Sequence, residues 1–355
     1  MEGFIIDYFK RGYQYKEIIA VIKNEHDIDL SLRQLHRVLR QHGLYRKGHQ
    51  TSTNIAIAFI EQELQGSGSS LGYRQMHRLC CQNGIKITRK SVAIIQSMLD
   101  PEGVQIRKRN RLRRRLYYSQ GPNWVWHVDG YDKLKPYGFP IHGAIDGFSR
   151  NVLWLEVCKS NKDPKIICSM FLNHIKRIGG VPHKVVADRG TENVNIAASQ
   201  IFLRQSENSF RYGRSVSNQR IESWWSMLRC SCTNWWINFF RDLVEQGIYD
   251  LSDVVQVECM RFCFGLIIQN DLDKNRQNWN NHRIRRGYHT HDGIRPSGIP
   301  SVIYSTPSIL NAGVRDFKHD VSLNEVNAVK ELCCEDEEFR YYCSQEFYIY
   351  SLTYL

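Results

Sequence analysis

The feature that most constrains this chain is a change of hydrophobic period near residue 123. Ahead of it, apolar residues recur at helical spacing. After it, residues 123–131 (NWVWHVDGY), 139–146 (FPIHGAID) and 151–159 (NVLWLEVCK) read as three strands, separated by the turn residues Pro136, Gly138, Gly147 and Ser149. Two hairpin-like connections make an antiparallel start. Residues 163–179 then return to helical spacing at Ile166, Ile167, Met170, Phe171, His174 and Ile175, and stop at Gly179-Gly180. HKVVAD (183–188) is short and apolar, as a buried parallel strand is. A helix over about 192–205, a short strand near 209–213 and a long helix from about residue 218 complete the series. Such an order predicts an α/β domain with a mixed sheet.

Three carboxylates fall at informative places in that order. Asp129 sits late in the first strand, Asp188 ends the apolar fourth strand, and Glu222 opens the long helix just before Trp224-Trp225. If the first and fourth strands are neighbours, both aspartates emerge at one sheet edge. Singly, the aspartates also suit strand-end turns and Glu222 suits a helix N-terminus favoured by the dipole. Together, converging from three elements, they are costly unless they hold cations. Oxygen-only ligands select Mg²⁺ or Mn²⁺, and two ions about 4 Å apart would clamp an in-line phosphoryl displacement.

Charge divides the chain. The net charge is +12, yet residues 1–120 hold 21 Lys/Arg against 10 Asp/Glu, so nearly all the excess lies there. Residues 316–355 are acidic, with 9 Asp/Glu against 3 Lys/Arg, and carry no readable motif. The densest basic run is 107–115 (RKRNRLRRR), containing Arg107, Lys108, Arg109, Arg111, Arg113, Arg114 and Arg115. It reads as an extended, solvated strap that tracks phosphates, or as a nuclear localisation signal. Both readings point to nucleic acid or the nucleus, and the partner expected for the chain is double-stranded DNA in the nucleus.

Residues 1–48 and 52–100 read as two similar helical units. Ser31 with Gln34 forms a capping box before Leu35, Val38 and Leu39, and the other face of that helix carries Arg33, His36, Arg37 and Arg40. The pattern returns at Ile85–Ile95, with Thr88 as cap and Arg89 and Lys90 following it. Each unit is expected to be a helix-turn-helix whose last helix reads DNA through those arginines and Lys90. The domain reading is therefore 1–48, 52–100, a basic linker 101–120, an α/β core 121–250, a helical and basic segment 251–315, and an acidic tail 316–355. In the post-core segment, Asn280, Arg283, Arg285 and Arg286 are candidate phosphate contacts. No run of about 18 uncharged apolar residues occurs, which excludes a membrane-spanning helix. The N-terminus has charges within its apolar stretch and no small-residue cleavage site, unlike a signal peptide. The 11 cysteines include adjacent pairs and no CxxC, which fits reduced intracellular thiols better than a disulfide framework or a zinc site.

The blocks WHVDGY, IDGFSR (145–150), ADRGTEN (187–193) and SNQRIESWW (217–225) resemble the integrase core of retroviral and retrotransposon integrases and DDE transposases. The resemblance covers about 121–300. It implies a ribonuclease-H-like fold, a mixed five-stranded sheet with helices, in which Asp129, Asp188 and Glu222 match the catalytic, metal-binding triad. The 33 residues between the last two acids compare with about 35 usual in the family. Asp146 matches a position that is not a metal ligand, and Glu192 is read as structural. The zinc module that opens retroviral integrases is absent, and tandem helical units stand in its place, as in many transposases. The resemblance implies a transposon-derived enzyme that binds two Mg²⁺ or Mn²⁺ ions and cleaves and joins DNA as a homo-oligomer. The rival is a domesticated copy that binds DNA or recruits partners without cutting. A nuclease for RNA–DNA hybrids is disfavoured, because helix-turn-helix units suit B-form duplex.

Overall fold

The computed structural model describes residues 1–45, 51–108, 119–213, 218–285, 296–310, 313–334 and 342–354. They sort into two compact units, Met1–Tyr118 with Gln277–Arg315, and Ser119–Arg276 with Asp316–Leu355.

The first unit begins with α1 (Glu2–Lys10), α2 (Tyr15–His26) and α3 (Leu32–Gln41), followed by α4 (Thr53–Leu64), α5 (Tyr73–Gln82) and α6 (Arg89–Leu99). Ser31 accepts a hydrogen bond from the Gln34 amide, and Thr88 accepts one from the Ser91 amide, so both third helices start on hydroxyl caps. Each trio buries its own core. Ile5, Ile18, Val21, Ile22, Leu35, Val38 and Leu39 fill one; Ala56, Ile60, Met76, Cys80, Val92 and Ile95 fill the other. A seventh helix, α7 (Pro101–Lys108), occupies the first part of the basic linker expected at 101–120 and reaches into the run expected to be extended from 107. Pro101 presets the first helical φ and Asp100 accepts from the Gly103 amide, which together nucleate a turn. The rest of the basic run, 109–115, lies outside the described residues.

In the second unit, β1 (Trp126–Tyr131), β2 (Ile141–Asp146) and β3 (Val152–Val157) form the antiparallel meander. α8 (Pro164–Ile178) starts on Asp163, which accepts from the Lys165 amide, and ends at Gly179 with φ +68°. β4 (Gly180–Val181), β5 (Val185–Ala187), α9 (Val194–Arg204) and β6 (Phe210–Tyr212) follow. The main sheet has the order β3-β2-β1-β5-β6, with β5 parallel to both its neighbours. This is the mixed five-stranded sheet expected from the ribonuclease-H-like resemblance. The long helix is α10 (Gln219–Leu228) and α11 (Asn234–Glu245), joined through one π-turn at Arg229–Thr233. Trp236 and Phe240 of α11 are buried, with Phe240 stacking on Phe139 and Trp236 meeting Phe264 edge-on. α12 (Val254–Asn280) is the longest helix, and no helix among the described residues is long and apolar enough to cross a membrane.

The segments after the core are built into these units. α13 (Pro300–Ser305) sends Val302, with Ile299 before it, into the core of the first three helices. Arg283 does not stand ready for phosphate: its Nη2 lies 2.7 Å from both carboxylate oxygens of Glu17, a largely buried acid in that unit. Arg286 lies outside the described residues. In the acidic segment, β7 (His319–Asp320) pairs antiparallel with β4, α14 (Leu323–Cys333) packs on α8 and α9, and α15 (Gln345–Tyr354) ends the chain. Asn123 donates to Asp316, the Phe317 amide donates to the Pro122 carbonyl, and the Phe317 ring meets Trp124 edge-on. The stretch without a motif is thus a strap around the α/β unit.

Candidate active site

Register brings the aspartates together. β1 and β5 run parallel with His127 beside Val186, so continuing that pairing sets Asp129 level with Asp188, just beyond the end of β5. Alternation puts His127, Asp129 and Tyr131 on one face of β1. α10 covers that face: the Trp225 ring fills the place of a side chain at Gly143, the cross-strand partner of Asp129. Trp225 Nε1 then donates to Asp129 Oδ2 at 2.8 Å. Glu222, in the first turn of the same helix, comes to the same edge.

A buried clamp fixes the start of α10. His127 Nδ1 lies 2.7 Å from Asn218 Oδ1, and Asn218 Nδ2 donates to the Val128 carbonyl at 2.9 Å. The Asn218 carbonyl accepts the Glu222 amide, so one asparagine ties the strand bearing Asp129 to the turn bearing Glu222. Burial holds the His127 imidazole down at about 4, so it is neutral and donates from Nδ1 at neutral pH. Sequence reading missed both residues. Their signal was local: a histidine two residues before the first acid and an asparagine four before the last.

Asp129 shows the electrostatics of the site. Burial first, and then the neighbouring Asp188 and Glu222, push its carboxyl up to about 7, against the opposing Trp225 bond. Asp188 Oδ1 accepts from Asn193 Nδ2 at 3.1 Å and from the Gly190 amide at 3.3 Å. Among the described residues, no three carboxylate, imidazole or thiol groups are gathered tightly enough to hold a metal ion as placed. The donor set still fits a hard divalent cation. All donors are carboxylate oxygens, and Asp188 and Glu222 help to raise the Asp129 carboxyl, a cost that a cation relieves. Asp146, by contrast, is a structural acid. It is fully buried and accepts from the Asn123, Phe148 and Ser149 amides and from the Ser149 hydroxyl, closing the β2–β3 turn.

The basic residues singled out for DNA are placed unevenly. Arg33, Arg37 and Arg40 are all exposed on α3, opposite Leu35, Val38 and Leu39. Arg89 and Lys90 are exposed at the start of α6, but farther along its outer face are Ile94 and Met98. Arg107 and Lys108 end α7, and Arg109, Arg111, Arg113, Arg114 and Arg115 lie outside the described residues.

A family profile described as an integrase core domain matches residues 116–297, half of the chain. The search of curated proteins found no match to the chain. The match spans β1 to the end of α12 and takes in Asp129, Asp188 and Glu222. With the mixed sheet order, the three acids at one edge and this match in agreement, the chain belongs to the integrase core domain family.

Proposed function

We propose that this transposon- or retroviral-integrase-like protein binds DNA ends and catalyses phosphodiester cleavage and strand transfer with divalent cations. The observation that carries the reading is the coupling of Asp129 to Asp188 and Glu222, two acids from separate elements that help to raise its carboxyl at a single sheet edge. Asp129, Asp188 and Glu222 would hold two Mg²⁺ or Mn²⁺ ions, which supply Lewis-acid activation of water or a DNA 3′-hydroxyl and stabilise the leaving oxygen. The chain's own groups set the geometry. Trp225 orients Asp129, Asn193 orients Asp188, and the His127–Asn218 clamp orients the turn carrying Glu222. No side-chain nucleophile is needed.

The basic face of α3, with the start of α6 and the 107–115 run, would hold the duplex by its phosphates, in helix-turn-helix fashion for each three-helix unit. Joining two DNA ends in concert needs two active sites, so a homo-oligomer acting in the nucleus follows from the same reading. The rival reading is a domesticated, catalytically silent protein that binds DNA or recruits partners. A strand-transfer assay with Mg²⁺, comparing the wild type with Asp188→Asn, separates the two. The proposal expects joined products from the wild type and none from the variant. Absence of metal-dependent nicking or joining by the wild type favours the silent protein.

A further inference from the structure

Sequence reading gave Glu192 no chemistry, yet its carboxylate lies where a helper of Asp188 would. It folds back over Gly190, so closely that a Cβ at residue 190 would fall inside the carboxylate. Gly190 has φ −80° and ψ 145°, a conformation open to any residue, so the backbone does not require glycine there. What the missing side chain provides is room for Glu192. Asn193, only 1% exposed, then joins the two acids: its Nδ2 is 3.1 Å from Asp188 Oδ1 and 3.1 Å from Glu192 Oε1. Two carboxylates sharing one amide donor face the same small region of the site. The neutral donors there, the Asn193 amide and the Gly190 backbone N–H, do not offset two negative charges, whereas a divalent cation does.

We infer that Glu192 supplies a fourth carboxylate to the divalent cation held at Asp188, with Gly190 as the space that admits it. The inference rests on the proposed cation-dependent reading of the Asp129, Asp188 and Glu222 site. It adds a ligand from the turn after β5, not from a strand or from α10. Glu192→Gln is the informative substitution, because its amide oxygen can still accept from Asn193. Asp188 is then held as before and only the charge is removed. Gly190→Ala leaves every carboxylate in the chain but displaces that of Glu192.

The test is Mn²⁺ binding to the full chain, read from the loss of the free-ion electron paramagnetic resonance signal, with no DNA present. Asp188→Asn is expected to abolish the site. Glu192→Gln and Gly190→Ala are each expected to weaken it by about 10-fold, and the double variant no further than either alone. A thermal midpoint in chelator within the wild-type range shows that the variants are folded. If wild type and both variants bind alike while Asp188→Asn does not, Glu192 is no ligand and the three-acid reading stands. If Gly190→Ala weakens binding but Glu192→Gln does not, steric disturbance explains the loss and the inference falls. If the wild type binds no Mn²⁺, the cation-dependent reading itself falls.

Discussion

Replacing Asp129 by asparagine should stabilise the protein when no divalent cation is present. The folded chain holds the Asp129 proton up to about pH 7, against 3.8 for the free side chain. Between those values the unfolded chain has released a proton that the folded chain keeps, so stability falls as pH rises through the window. A shift of about three units sets a ceiling of about 4 kcal/mol above pH 7. The carboxyl keeps some contact with solvent, which softens that figure and leaves about 1–2 kcal/mol to be gained. Asparagine keeps an oxygen for Trp225 Nε1, so little packing is lost. At about 2–4 °C per kcal/mol, Asp129→Asn should raise the thermal midpoint in chelator by several degrees at pH 8 and hardly at all at pH 4. Saturating Mg²⁺ should reverse the order, because the wild type gains binding free energy that the variant lacks. A variant whose gain over the wild type in chelator is no larger at pH 8 than at pH 4 refutes the claim that the folded chain holds the Asp129 proton up.

Three further outcomes follow from the packing. Asn218→Ala strands the buried His127 Nδ1 and the Val128 carbonyl, and should cost about 2–4 kcal/mol in urea unfolding, whereas Ser223→Ala on the exposed face of α10 should cost almost nothing. Ending the chain at residue 315 removes β7 and α14 and with them the buried Val326 and Val329. The α/β unit should lose about 3–5 kcal/mol and be cut by protease near β4, and unchanged resistance would mean that the strap is dispensable. Changing Arg33, Arg37 and Arg40 together to alanine should lower the slope of log affinity for duplex DNA against log salt by about 2.7, if each neutralises one phosphate. An unaltered slope would move the contact away from α3.

The sequence made the site acids legible because their signals are local. Asp129 and Asp188 follow apolar strand patterns, and Glu222 precedes two tryptophans that must be buried. The turn after β2 is equally readable from Gly147 and Ser149, whereas the resemblance alone keeps Asp146 out of the triad. What escaped reading depends on partners far away in the chain. β4 is two residues long and begins with glycine, too short for a periodic signal, and its partner β7 lies about 140 residues on. Ser322 and Glu325 form a capping box, yet nothing local says that the helix they open packs on α8 and α9. Arg283 looked like a phosphate contact because its match to Glu17 spans most of the chain. Glu192 was passed over because its meaning lies in the space above Gly190, which no spacing reveals.

The central claim is that a cation held by Asp129, Asp188 and Glu222 meets the phosphate being cut. Replacing a non-bridging oxygen of that phosphate by sulfur tests it most directly, since Mg²⁺ binds sulfur poorly and the softer Mn²⁺ binds it better. Cleavage of the sulfur-substituted DNA end should be slow in Mg²⁺ and restored by Mn²⁺ for one of the two stereoisomers. Equal rates with both ions for both stereoisomers, or cleavage that persists in chelator, would contradict it.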